Sequence, residues 1–260
     1  MTAAWVRGQG PARTHPIAFF DVDETLLAGK SMLEFLRFHL ARRGHGESYE
    51  RVVAGMRGAG RAEANRRYYT AYAGVSWTDL LAEGREWYAE WCRRPAAFLS
   101  GGLAALRRHQ GRGDAVVLVS GSFLPCLGPL AEHLGADAVL CGEPEVDRAG
   151  VVTGRIAEPM IGRAKAQAAQ RLAADRRVAP ADCYAYGDHP SDLDLLTSVG
   201  NPAVVGADPV VRRFAEGAGW PHWPAEPVPA PPPRPPLSTQ DNDCYCGCAL
   251  ATWSIPRSRR

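Results

Sequence analysis

Short apolar runs alternate with longer amphipathic segments along most of the chain. The runs suited to buried strands are 17–20, 115–119, 183–186 and 203–205, with a plausible fifth at 138–141. Helical patterns lie between most of them, as at 102–109, 129–134 and 163–174. This alternation predicts an α/β fold with a doubly wound parallel sheet. In such sheets, ligands bind beyond the carboxyl ends of the strands.

The gap between the first two predicted sheet strands is too long for a single crossover. Residues 30–94 contain no clear strand, and helical spacing recurs at 32–40, 49–56, 62–72 and 76–91. We therefore predict an all-helical cap inserted after the first strand, lying over the strand ends. Its aromatic side chains either line a pocket or form the small core of the cap.

The remaining segments complete a predicted domain division. A glycine turn within 145–156 predicts a β-hairpin. Nine of the 21 prolines fall between Pro221 and Pro236, where apolar periodicity is weak, so the folded part is predicted to end near residue 220. The predicted parts are an N-terminal extension (1–14), the core (15–29 and 95–220), the cap (30–94), and a disordered Pro-rich linker with a Cys-containing tail (221–260).

The tail carries Cys244, Cys246 and Cys248, a spacing shorter than that of usual zinc sites. Three interpretations of this tail are possible. It is a disordered tail, a metal or redox site, or a modified or cleaved peptide.

Composition and charge narrow the class of partner. The chain has 260 residues, 46% of them hydrophobic and 22% charged, with a net charge of +2. These values are typical of a globular protein and give no reason to expect a nucleic-acid or membrane partner. No apolar run reaches the ~20 residues that span a bilayer, and the first residues lack the apolar core of a secretory signal. We therefore expect a cytoplasmic protein, of open oligomeric state.

Two carboxylates stand where the first predicted strand ends. Asp21 and Asp23 follow the apolar run 17–20 directly. Such a pair can hold a hard cation and divide the tasks of nucleophile and proton donor. The alternative is that both are turn or capping residues.

A second strand, 115–119, runs into Ser120 and Gly121. A phosphate there would meet the Ser120 hydroxyl and free backbone N–H groups at the start of the next helix. A simple turn explains the same residues.

Lys165, one of two lysines in the chain, opens a later helix. It is either a solvated residue or an ammonium that holds two anions together, with Arg163 as its rival.

A third strand, 183–186, leads to Asp188 and then Asp192. Asp188 would complete an oxygen-ligand Mg²⁺ site, and Asp192 would anchor the loop or hold Lys165. Alternatively, Asp192 is an ordinary acid of a first helical turn. His189 is interpreted as incidental rather than as a base.

In this order, each closing a strand or opening a helix, these motifs resemble the haloacid dehalogenase superfamily. The resemblance is closest to its phosphoserine-phosphatase-like branch and covers about residues 15–215. It implies a Rossmann-like core with a helical cap. It also implies a Mg²⁺-dependent phosphatase that hydrolyses a small phosphorylated metabolite through an aspartyl-phosphate. A phosphotransferase or phosphomutase using the same intermediate, or a non-catalytic phosphate-binding regulator, are the alternatives.

The resemblance also implies roles for single residues. Asp21 attacks phosphorus, and Asp23 protonates the leaving oxygen and then activates water. Ser120 and the Gly121 amide hold the phosphoryl oxygens, and Lys165 neutralises charge. Mg²⁺ binds Asp21, Asp188 and the backbone carbonyl of Asp23, while Asp192 has a supporting role.

One position departs from the phosphoserine phosphatases. By loop spacing, Lys30 stands where those enzymes carry an acidic residue that binds the substrate's amino group. An ammonium there would repel a serine amine, which disfavours phosphoserine itself. Lys30 is therefore a candidate for substrate specificity, unless it is simply an exposed residue of the cap.

Overall fold

Residues 5–6, 15–43 and 46–234 are described in the computed structural model. Most of the predicted N-terminal extension, and the tail with Cys244, Cys246 and Cys248, lie outside the described residues. Within the described ranges, no helix is long and apolar enough to cross a membrane.

The described strands, numbered along the chain, are β1 (Trp5–Val6), β2 (Ile17–Phe20), β3 (Phe98–Leu99), β4 (Ala115–Ser120), β5 (Ala138–Cys141), β6 (Pro144–Val146), β7 (Val152–Ile156), β8 (Cys183–Gly187), β9 (Asn201–Val205), β10 (His222–Trp223) and β11 (Pro227–Val228). All five predicted strands are confirmed as β2, β4, β5, β8 and β9, with ends that differ by two residues at most.

The described α-helices are α1 (Ser31–Arg42), α2 (Gly46–Met56), α3 (Arg61–Thr70), α4 (Trp77–Trp91), α5 (Ser100–Arg112), α6 (Leu124–Leu134), α7 (Arg163–Asp175), α8 (Leu193–Thr197) and α9 (Pro209–Ala218). Short 3₁₀ turns precede β8 and α8, at Pro180–Asp182 and Pro190–Asp192.

The main sheet has the order β1-β5-β4-β2-β8-β9-β10. Its last six strands are parallel, and β1 pairs antiparallel with β5 at the edge. Phe20, the last residue of β2, pairs with Leu118 on β4 and with Tyr186 on β8. Because parallel strands end at the same edge, the loops after β2, β4 and β8 lie side by side. The predicted doubly wound α/β fold is confirmed.

Two apolar clusters cover the two faces of this sheet. Alternate residues point to opposite faces, so Phe19 packs with one cluster and Phe20 with the other. The cluster around Phe20 continues into the cap, where it buries the aromatic side chains Tyr68, Tyr69, Trp87, Tyr88 and Trp91. The structure places these aromatics in a buried core, but this core is continuous with the apolar cluster on the sheet and is not confined to the cap.

Helices α1–α4 follow β2 and form the cap. The Ser76 hydroxyl accepts a hydrogen bond from Asp79 N at the start of α4, the N-cap arrangement that the sequence indicated. The hairpin β6–β7 lies beside the cap, since Gly74 N donates to Val152 O at 2.9 Å and Trp77 N donates to Gly150 O at 2.9 Å. Cap and hairpin are thus joined by backbone hydrogen bonds.

The chain remains part of the fold beyond residue 220, so the predicted start of the disordered segment at 221 is wrong for residues 221–234. Strand β10 extends the main sheet, and β11 pairs antiparallel with β3. Ser100 N donates to Glu226 O at 2.9 Å, and Gly101 N donates to Pro224 O at 3.1 Å. Proline lacks an N–H but keeps its carbonyl acceptor, so a Pro-rich segment can pair through its carbonyls without any apolar periodicity.

We predict that this C-terminal segment stabilises the core. A chain ending at residue 220 loses β10 and β11, and its Tm should fall by roughly 5 °C or more, since ~1 kcal/mol corresponds to about 2–4 °C in a domain of this size. Thermal unfolding followed by circular dichroism measures this. A chain ending at residue 234 is the control and should keep the full-length Tm. Equal Tm values for the two truncations would contradict the prediction.

The cap packs closely against the core at Gly84 on α4. A Cβ built there would lie 1.9 Å from the carbonyl oxygen of Pro125 on α6. Gly84→Ala should therefore force α4 and α6 apart and destabilise the protein by about 1–3 kcal/mol, as overpacking does.

Gly55→Ala on α2 is the matched control, because no atom lies within 4 Å of the added Cβ. Helix propensity alone predicts a change between zero and about 1 kcal/mol in the stabilising direction. Urea unfolding of both variants measures the contrast, and two equal effects would refute the close packing of α4 on α6.

Candidate active site

A cleft with an empty volume of about 460 Å³ opens between the cap and the carboxyl ends of the central strands. Every residue predicted for the site lines it, and these are Asp21, Asp23, Lys30, Ser120, Gly121, Lys165, Asp188 and Asp192. The structure therefore brings together residues that lie as far as 171 positions apart in sequence, from Asp21 to Asp192.

The Lys165 ammonium lies between two carboxylates. Its Nζ donates to Asp21 Oδ1 at 2.5 Å and to Asp192 Oδ1 at 2.6 Å, and its side chain is only 6% exposed. Burial lowers the pKa of Lys165, but the charges of Asp192 and Asp21 outweigh it and the net shift is upward. The rival Arg163 is exposed on the first turn of α7. Lys165, and not Arg163, is therefore the buried cation that binds two carboxylates, and it is not a solvated residue.

Asp21 is buried where β2 ends. Its backbone N–H donates to Tyr186 O on β8 at 2.9 Å, so the residue is fixed at the edge of the sheet. Burial raises the pKa of its carboxyl well above the usual range, Asp192 and Asp188 add to the rise, and Lys165 opposes it. The Asp21 carboxylate thus depends on nearby positive charge to remain ionised.

The loop after Asp21 turns tightly and leads into the cap. Leu26 and Leu27 both donate their N–H groups to Val22 O at 2.9 Å. Glu24 takes a left-handed conformation with φ of 65°, which residues other than glycine rarely adopt. The turn leaves Asp23 directed at the cap, where its Oδ1 accepts a hydrogen bond from Ser31 N at 2.9 Å.

Asp23 therefore caps the N-terminus of α1, where a carboxylate is favourable. Burial raises the pKa of its carboxyl, and the hydrogen bond from Ser31 N opposes the rise. A carboxyl with a raised pKa is suited to donate a proton.

Asp188 follows β8 and faces Asp21. Its Oδ1 accepts a hydrogen bond from the buried Thr25 hydroxyl at 3.0 Å. Burial raises the pKa of Asp188 to about 6, and the charge of Asp192 contributes to the rise. Thr25 was not singled out in the sequence, because its position next to Asp188 depends on the tight turn after Asp21.

Asp192 both anchors its own loop and holds Lys165. One of its oxygens takes Lys165 Nζ, and the other accepts from His189 N at 3.2 Å. The His189 ring accepts a hydrogen bond from Ser191 N at 3.0 Å, and burial lowers the pKa of the ring. His189 thus stabilises the turn, which fits its interpretation as incidental to the chemistry.

The donor set fits a hard divalent cation. Carboxylate oxygens of Asp21, Asp188 and Asp192 lie within 4.8 Å of one another, and oxygen ligands of this kind suit Mg²⁺. The side chain of Asp23 is directed at Ser31 instead, so the contribution expected of Asp23 is confined to its backbone carbonyl. Asp192 lies in the cluster, but its nearest oxygen already binds Lys165.

The loop after β4 forms the opposite wall of the cleft. Ser120 Oγ accepts from Ser122 N at 3.1 Å, and Ser120 is buried. The cap reaches this loop through Asn65, whose Nδ2 donates to Gly121 O at 2.9 Å, and through Tyr69, whose hydroxyl donates to the same oxygen at 3.1 Å. The Gly121 peptide is thus held by the cap from the side of its carbonyl.

Two cations of the cap line the mouth of the cleft. Lys30 Nζ lies 2.5 Å from Glu24 Oε2, and both side chains are nearly half exposed. Arg61, the first residue of α3, also lines the cleft. Sequence patterns indicated neither Arg61 nor Asn65, because which face of a cap helix meets the cleft depends on how the cap packs.

Comparison with known proteins places the chain in a hydrolase family. The family model of haloacid dehalogenase-like hydrolases matches residues 18–197, which is most of the core together with the cap. The chain belongs to this family.

Similar proteins have been named in bacteria. The chain is 32% identical over 213 residues to "Inhibition of morphological differentiation protein" from Streptomyces azureus, covering 78% of this chain and 76% of the relative. It is 30% identical over 234 residues to "Phosphoserine phosphatase SerB1" from Mycobacterium tuberculosis (strain ATCC 25618 / H37Rv), covering 85% and 74%. A solved structure of a protein of unknown function from Bordetella pertussis Tohama I superposes with a TM-score of 0.71 at 25% identity, covering 81% of this chain and 98% of that one.

The chain's two lysines provide a matched test of the buried ion pairs. Lys165→Met leaves Asp21 and Asp192 facing each other without a cation, and breaking such a buried pair costs about 3–5 kcal/mol. Lys30→Met removes an exposed pair and should cost at most ~1 kcal/mol. Free energies of unfolding in urea, measured without added metal, give both values. Similar losses for the two variants would show that Lys165 does not stabilise the acidic cluster.

Proposed function

We propose that this phosphoric monoester hydrolase is a Mg²⁺-dependent phosphatase that hydrolyses a small phosphorylated metabolite through an aspartyl-phosphate on Asp21. The observation that carries the proposal is the contact of Lys165 with Asp21, in a cleft that also presents Asp188 and the loop of Ser120 and Gly121. A nucleophilic carboxylate, charge neutralisation and hydrogen-bond donors are the groups that phosphoryl transfer requires.

In the first step, Asp21 attacks phosphorus, an Asp–O–P bond forms and the bond from phosphorus to the leaving oxygen breaks. Lys165 holds Asp21 Oδ1, which fixes the orientation of the carboxylate and leaves Oδ2 for attack. The nearest described donor to Oδ2 is the Thr25 hydroxyl, at 3.4 Å, a weak contact that substrate can replace.

Asp23 supplies the proton for the leaving oxygen. Its raised pKa favours the protonated form before reaction, and its bond to Ser31 N fixes the carboxyl at the base of the cap. In the second step, the ionised Asp23 accepts a proton from the water that attacks the aspartyl-phosphate. The proton taken from water replaces the one given to the leaving group, so Asp23 ends the cycle protonated.

The Ser120 hydroxyl and the Gly121 amide stabilise the phosphoryl oxygens, and Lys165 neutralises their charge. Asp21, Asp188 and the Asp23 carbonyl would hold Mg²⁺, which would neutralise further negative charge on the transferred group. Burial of these groups strengthens each charge interaction within the cleft.

The test separates the two steps with para-nitrophenyl phosphate, whose leaving group needs no proton. The wild-type protein should hydrolyse it with Mg²⁺ and lose turnover in EDTA, and Asp21→Asn should fall to background. Asp23→Asn should release one equivalent of nitrophenol in a burst and then turn over ~10²–10⁴-fold more slowly, because the second step lacks its base. Rapid-mixing absorbance measurements follow both phases.

Alkyl phosphates provide the control, since their leaving oxygen requires a proton. With these esters, Asp23→Asn should show no burst. An Asp21→Asn variant with wild-type turnover, or a natively folded wild-type protein without Mg²⁺-dependent turnover, would contradict the proposal. Transfer of phosphate to an added alcohol instead of water would identify a phosphotransferase.

A further inference from the structure

The cap presents two cations to the cleft that the chemical steps do not use. Lys30 directly precedes α1, Arg61 begins α3, and both line the same cleft as Asp21. They stand at the starts of two different cap helices, so the folding of the cap places them together at the mouth of the cleft. A cation at the first residue of a helix also opposes the helix dipole slightly, and helix stability therefore gives no reason for Arg61.

Among the lysines and arginines that line the cleft, two are paired with carboxylates of the described residues and one is not. Lys165 is committed to Asp21 and Asp192, and Lys30 to Glu24. The Arg61 side chain makes no hydrogen bond or ion pair with any described residue, and its charge lowers the pKa of His189. A guanidinium pairs best with a planar or tetrahedral oxyanion that can accept two of its N–H groups. The Arg61 guanidinium can therefore bind an anion, and no described side chain provides one.

Asn65 provides a second indication that a ligand binds to this face of α3. It lies four residues after Arg61, so the two side chains share one face of the helix. Asn65 is 5% exposed, and its Nδ2 is fixed on Gly121 O, which directs Oδ1 elsewhere. Asn65 is one of the residues that line the cleft. Its Oδ1 is buried and has no hydrogen-bond partner among the described atoms. A buried acceptor left unpaired is costly, and a hydroxyl group of a bound substrate would satisfy it.

We propose that the substrate carries a second anionic group, a carboxylate or a second phosphate, which Arg61 and Lys30 bind while the first phosphate reacts at Asp21. The proposal rests on the proposed phosphatase function and narrows its substrate class. An amine at this end of the substrate would face Arg61 together with the Lys30–Glu24 pair, a net positive charge, which is unfavourable. The substrate in the name of the phosphoserine phosphatase relative carries both a carboxylate and such an amine, and the amine is what disfavours it here.

Binding to the Asp21→Asn variant in Mg²⁺, measured by titration calorimetry, tests the proposal without turnover. The four ligands are phosphoglycolate, propane-1,3-diol bisphosphate, propyl phosphate and phosphoethanolamine. The two with a second anion should bind about tenfold or more tighter than propyl phosphate, as charged hydrogen bonds allow, and phosphoethanolamine should bind more weakly than propyl phosphate.

Arg61→Gln in the same background should abolish most of that preference and leave propyl phosphate binding within about twofold. Lys30→Gln should reduce the preference further. Arg66→Gln is the matched control, because Arg66 is exposed on the same helix, 3.9 Å from Glu63, and does not line the cleft. The ranking of kcat/KM for the same four esters in the otherwise wild-type chain gives an independent measurement that does not need the Asp21→Asn variant to fold.

Equal binding of phosphoglycolate, the bisphosphate and propyl phosphate would overturn the proposal, as would a preference that survives Arg61→Gln with Lys30→Gln. Tightest binding of phosphoethanolamine would overturn it too. A preference for only one of the two anionic ligands identifies the second group as carboxylate or phosphate. Absence of hydrolysis with the binding preference intact would refute the phosphatase function and leave the anion site standing.

Discussion

The buried contact of Lys165 with Asp21 and Asp192 is the interaction on which the site depends. Parallel strands of one sheet place Asp21 and Asp188 side by side, with Asp192 on the following turn. Desolvation and mutual repulsion raise the pKa of Asp21 and of Asp188, so the cluster tends to lose its charge. An ammonium between two of the acids opposes that tendency and favours the ionised carboxylates.

The cap is connected to this centre by direct hydrogen bonds. Asp23 caps α1 of the cap, and Asn65 and Tyr69 of α3 both bind the Gly121 carbonyl beside the expected phosphate position. The same face of α3 carries Arg61 at the mouth of the cleft. The cap and the loops after β2 and β4 are therefore held together at the cleft by direct hydrogen bonds.

Sequence patterns predicted the sheet and half of the residues that line the cleft because those signals are local. An apolar run followed by an acid or a Ser-Gly pair marks a strand end, and the order of such runs implies that the ends meet. Arg61 and Asn65 gave no such signal, since their place in the cleft depends on which side of α3 packs on the core. Strand β11 was missed because it is only two residues long and lies in a Pro-rich segment, where hydrophobic periodicity gives no signal.

The most direct measurement is the identity of the residue that carries phosphate during turnover. Protein mixed with Mg²⁺ and para-nitrophenyl phosphate, quenched in acid and digested, should yield a phosphorylated peptide containing Asp21, detected by mass spectrometry. The modification should be absent from Asp21→Asn and should accumulate in Asp23→Asn. Turnover with no phosphorylated peptide, or with phosphate on a different residue, would contradict the account.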